Sequence, residues 1–211
     1  MAREEAQIVD AIVNPLYDTN NIVAGGTLIL NYFALPLGQG ASAFAGAGVT
    51  KSLSDTNLLL AGQLSAGYNF DLLGFRIQPQ FNIGNIAGMV PTNDPHTWSF
   101  GCVFTFSIGS KIYCQVPADT VPAGCGVAGS QFGIATGVAV TGGSVTSHGV
   151  PHISNSFING RKPLKLAQNM AFNATLTWPI VVANTSVTPT AAADGIPVRV
   201  YLDGYLYRPV Q

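Results

Sequence analysis

Val198-Arg199-Val200-Tyr201-Leu202-Asp203-Gly204-Tyr205-Leu206 is the stretch that decides the fold. In an extended chain Val198, Val200, Leu202, Gly204 and Leu206 share one side, and Arg199, Tyr201, Asp203 and Tyr205 take the other. Successive side chains of a strand leave opposite faces, so the alternation marks a strand with one face on a core. The same period recurs at 73–83, where Leu73, Phe75, Ile77, Pro79, Phe81 and Ile83 oppose Gly74, Arg76, Gln78, Gln80 and Asn82. It recurs at 100–108, with Phe100, Cys102, Phe104, Phe106 and Ile108 inward, and at 170–178, with Met170, Phe172, Ala174, Leu176 and Trp178 inward. Pro79 cannot donate to a ladder, which predicts an edge position or a bulge in its strand.

Working outward, further strands are expected at Thr27 to Leu35, Ile112 to Val116, Phe132 to Val140 and Leu164 to Ala167, roughly seven to nine in all. Clusters such as Gly38-Gln39-Gly40, Pro91-Thr92-Asn93-Asp94-Pro95 and Ala193-Asp194-Gly195 separate them, and the chain's 24 glycines and 13 prolines serve these turns. Ile108-Gly109-Ser110-Lys111-Ile112 reads as a tight hairpin. Many strands with long Gly/Pro loops predict an all-β sandwich or barrel in one domain. The N-terminal stretch differs. Ile8 and Ile12, and Val9 and Val13, have helical spacing, and Pro15 stops the run. We therefore expect a short N-terminal helical arm at 1–20 ahead of a β domain at 21–211. The helix either closes one end of the sandwich, docks on a neighbouring subunit through Ile8 and Ile12, or faces a membrane. The C-terminal strand runs to the end of the chain, so its last residues are expected to be tied down.

Apolar residues make up 47% of the 211-residue chain and charged residues 9%, against about 25% charged in an ordinary soluble domain. Little charge opposes association of such a surface. A net charge of −1, with no basic group denser than Arg161-Lys162 and Lys165, disfavours strong nucleic-acid binding. No apolar run reaches the ~18 residues of a spanning helix, and no signal core follows Met1-Ala2-Arg3-Glu4-Glu5. The three cysteines cannot all pair; Cys102 reads as a buried thiol, while Cys114 and Cys125 either pair or stay reduced. Groups for catalysis are scarce. Glu4 and Glu5 are the only glutamates, and the aspartates sit mostly in turns. Gly149-Val150-Pro151 denies His148 and His152 the helical spacing of a metal pair, and Cys114, Cys125 and His148 match no zinc pattern. Nucleophile-elbow, dinucleotide and phosphate-loop sequences are absent. No catalytic residue, metal or cofactor is expected, and the chain does not read as an enzyme. Tyr201, Tyr205 and Tyr207 share the polar side of the last strand. They either cover a sheet face, make a subunit contact, for which Tyr is enriched, or offer a carbohydrate platform.

Three blocks carry a family resemblance. They are Phe33-Ala34-Leu35-Pro36-Leu37-Gly38-Gln39-Gly40 with Lys51, Asp55-Thr56-Asn57-Leu58 and Gly62-Gln63-Leu64; Ile108-Gly109-Ser110-Lys111-Ile112-Tyr113 running to Val121-Pro122-Ala123-Gly124; and Val198 to Gln211. Together they resemble the jelly-roll major capsid proteins of small non-tailed icosahedral bacteriophages. The resemblance implies a single jelly-roll β-sandwich of about eight strands. It implies a viral structural protein that assembles with copies of itself into an icosahedral shell, with other capsid proteins and an internal membrane as further partners. Its place would be the virion, after assembly in the host cytoplasm. A receptor- or glycan-binding module of a spike, penton or fibre head is the alternative on the same fold. An outer-membrane barrel fits less well, because its export signal is missing and the loops are long.

Overall fold

A computed structural model describes residues 9–23, 27–79, 101–121, 134–136, 139–141, 157–158, 162–182 and 195–209. The described chain is all β, and its principal sheets are antiparallel. One sheet is built on β14 (Gly195–Pro209), which pairs on one side with β1 (Val9–Val13) and β2 (Leu16–Val23) in tandem. Its other side pairs with β6 (Asn69–Pro79), whose far edge carries β12 (Leu164–Leu166) and β11 (Phe157–Ile158). Six strands thus fill four positions. The second sheet runs β3 (Thr27–Tyr32), β13 (Phe172–Val182), β7 (Val103–Ile108) and β8 (Lys111–Pro117) in that order. Two small ribbons complete the set: β4 (Ala41–Ser42) with β5 (Gly46–Thr50), and β9 (Ile134–Thr136) with β10 (Ala139–Thr141).

The two sheets share one core, as the alternation requires. Val198, Val200 and Leu202 of β14 and Phe75 and Ile77 of β6 are buried, as are Phe104 and Phe106 of β7 and Leu176 and Trp178 of β13. Phe75 bridges the sheets, its ring 5.2 Å from Phe104 and 5.1 Å from Phe106. The β7–β8 hairpin turns at Gly109-Ser110, where Gly109 has φ +57°, a conformation that glycine adopts without a Cβ penalty.

Several expectations need correction. Val9–Val13 is a strand and no helix is present there; Ile12 lies opposite Leu206 and Val13 opposite Tyr205. The four-residue spacing is compatible with either state, and pairing with the exposed edge of β14 decides it. Residues 1–8, Ile8 among them, lie outside the described residues. Pro79 is the last residue of β6 and pairs with Val198 of β14, while the described partners on the other side of β6 reach no further than Phe75, so it stands where one side of the strand has no described neighbour. The bulge in β6 falls at Leu73, because Asp203 pairs with Gly74 and the next residue, Gly204, with Leu72. Phe70 and Leu72 therefore enter the core, and Leu73 is only half-buried. Met170 precedes β13 and is exposed, and the strand at 27–35 ends at Tyr32, since Phe33 has φ +66°.

Candidate functional site

The outer faces of the two sheets differ in chemistry. On the β14 sheet, Arg76 and Asp203 form a buried bidentate pair, with Nε to Oδ2 at 2.6 Å and Nη2 to Oδ1 at 2.7 Å. The Arg76 guanidinium also lies 4.1 Å from the centre of the Tyr201 ring, within range of cation–π attraction. Tyr201 stands 6.0 Å from the Tyr17 ring. Arg199 extends the array: its Nε donates to Thr19 Oγ1 at 2.9 Å, its Nη1 to Tyr201 Oη at 3.3 Å, and its Nη2 to the Ser54 carbonyl. Such a planar fork holds several acceptors in one fixed geometry.

These contacts clasp residues 51–58 onto β2. Lys51 Nζ donates to Asp18 Oδ1 at 2.6 Å, and the Phe33 N–H donates to Asp18 Oδ2 at 2.7 Å. Both members of the ion pair are buried. Burial pushes the Asp18 carboxyl above the usual carboxylate range, against the pull of Lys51 and of the Phe33 and Thr19 N–H groups. Asp55 is a hub that accepts from Ser42 Oγ at 3.0 Å, the Ala43 N–H at 2.7 Å, the Ser52 N–H at 2.9 Å and Ser52 Oγ at 3.1 Å. Asn57 closes the clasp, donating from Nδ2 to the Pro15 carbonyl at 2.9 Å and accepting from the Tyr17 N–H at 3.0 Å. Gly62 pins the next segment: its N–H donates to the Phe33 carbonyl at 2.6 Å, and its carbonyl accepts from the Phe172 N–H at 2.8 Å. The first resemblance block is therefore, physically, a set of buried polar anchors that fix a long loop. Sequence reading missed this, because Asp18, Lys51 and Asp55 form no local pattern.

The outer face of the β3–β13–β7–β8 sheet is uncharged. Register places Ile29, Thr177, Val103 and Pro117 in one cross-strand row. Asn31, Thr175, Thr105 and Gln115 form the next, and Asn173, Ser107 and Ile112 the third. Ile29, Val103 and Ile112 are 50%, 36% and 54% exposed. Lys111, at the hairpin turn, is the only ionised side chain in these four strands.

The tyrosines singled out from sequence lie together on the outer side of β14, but in different roles. Tyr201 is half-buried within the guanidinium array, Tyr207 Oη donates to Asp71 Oδ2 at 3.2 Å, and Tyr205 is exposed. Ile12 is half-buried against the core. Cys102 and Cys114 are buried free thiols, and burial holds Cys102 up at about 12. Among the described residues no three His, Cys, Asp or Glu side chains cluster as metal ligands. Cys125, His96, His148 and His152 lie outside the described residues. Asp10, Asp18, Asp55, Asp71 and Asp203 each accept from a structural donor. Among the described residues these carboxylates fix a loop and tie strands together. No family model, curated protein or solved structure matches the chain.

Proposed function

We propose that the chain is a single jelly-roll coat subunit whose work is to assemble with copies of itself into an icosahedral shell. One observation carries the reading: the nesting of the strand pairs. With the β4–β5 and β9–β10 ribbons set aside, and β1 with β2 and β11 with β12 each taken as one strand, eight described positions remain in chain order. The first then pairs with the eighth, the second with the seventh, the third with the sixth and the fourth with the fifth. Folded over into two facing sheets, such a nested ribbon is a jelly roll, an architecture that serves in capsids. The 9% charge content supports association over a solitary existence, and the buried clasp supports a 51–58 loop held in one shape against β2. Fold alone does not select among jelly-roll functions. The resemblance of the clasp residues and of the C-terminal strand to phage coat proteins favours the shell.

The test is molar mass by light scattering of the purified chain over rising concentration. Growth from the 22.0 kDa monomer into discrete larger species is expected. A constant monomer mass, together with saturable binding to a glycan or receptor, would replace this reading with the attachment-module alternative.

A further inference from the structure

We propose that a second copy of the chain docks, like face to like face, on the uncharged outer surface of the β3–β13–β7–β8 sheet, centred on Ile29, Val103 and Ile112. The inference rests on the self-assembly reading and adds which of the two sheet faces makes the contact.

Charge chooses the occupant. The sequence holds no Asp, Glu, Lys or Arg at 19–50, 95–110 or 166–193, and these stretches supply β3, β7 and β13. A neutral face offers a foreign partner no charge pattern to read, and it meets its own twin without like-charge repulsion. The outer face of the opposite sheet carries the exposed Lys165 and the half-buried Arg199 and Asp71, around the buried Arg76–Asp203 pair. Laying the neutral face on that surface would strip water from ions and return no partner. A two-fold contact needs one self-complementary patch, which the three uncharged rows provide. Further along β13, Ile180 and Val181 are 71% and 62% exposed.

Size sets the strength. Four strands ~4.8 Å apart and about six residues long at ~3.3 Å each give a footprint of roughly 400 Å² per copy. A standard interface buries ~800 Å² per partner. The contact is therefore weak alone and holds when many copies repeat it, as in a shell.

The experiment is sedimentation velocity of the full chain, wild type against Val103→Lys and Val103→Glu, with Ile112→Lys and Ile112→Glu as a second pair should the first fold poorly. Circular dichroism checks the fold. Each variant alone is expected to raise the apparent dissociation constant ~10-fold or more, and mixing the Lys and Glu forms to restore association. Lys165→Glu, on the other sheet, is expected to leave association unchanged. Unchanged association in both well-folded Val103 variants overturns the proposed face and leaves self-assembly standing, as does loss without rescue on mixing. A wild type that stays monomeric to ~1 mM removes the self-assembly reading and this inference with it.

Discussion

Lys51→Met leaves the Asp18 carboxyl buried with only N–H donors for company. Breaking one side of a buried ion pair costs about 3–5 kcal/mol, because the remaining charge is uncompensated. Urea unfolding is expected to show that loss, and Asp18→Asn added to Lys51→Met is expected to recover most of it. The pH dependence has a definite sign. Burial raises Asp18 above its unfolded value of 3.8, so its contribution is full below that value and is lost as pH rises through the folded one. Acidification from neutral pH should therefore return part of the stability that Lys51→Met removes, and a loss that grows on acidification would contradict it. At Cys102, burial moves the thiol from 9.0 to about 12. The native thiol stays protonated at pH 8, so iodoacetamide should label it only in urea. Stability from this group should decline as pH climbs from 9 towards 12.

The bulge where β14 meets β6 depends on one missing side chain. A Cβ on Gly204 would stand 2.1 Å from the Asp71 carbonyl oxygen and 2.8 Å from the Phe70 ring. Backbone cannot yield as a side chain can, so Gly204→Ala should cost about 3 kcal/mol or more, read as a fall in melting temperature. A variant as stable as wild type would mean the two strands lie further apart. The same bulge shows where sequence stops being readable. Alternation identified the inward faces of β14, of β7 and of β13 from Phe172 to Trp178, because each keeps its phase there. In β6 the phase slips at Leu73, and the cause is a close approach to Gly204, which lies over a hundred residues away in the chain. The N-terminal strand was misread for a related reason. Ile8, Val9, Ile12 and Val13 fit a helix locally, and only the free edge of β14 selects extension. The clasp was invisible as well, since its ion pair joins residues 33 apart without periodicity, although its polar residues stand out in an otherwise uncharged stretch.

At the scale of the molecule, the two sheets divide the labour. The β14 face concentrates guanidinium, phenol and carboxylate groups and uses them to lock the 51–58 loop. The β3–β13–β7–β8 face carries almost no charge and leaves aliphatic side chains open to contact. Ionised groups turned toward the protein's own loops, with a neutral face turned outward, suit a block meant to be tiled. The most direct test of the proposed assembly is negative-stain microscopy of the purified chain at high concentration, over a range of salt and pH. The proposal predicts closed, uniform shells or regular fragments of them. A field of single, isolated particles under every condition would contradict it.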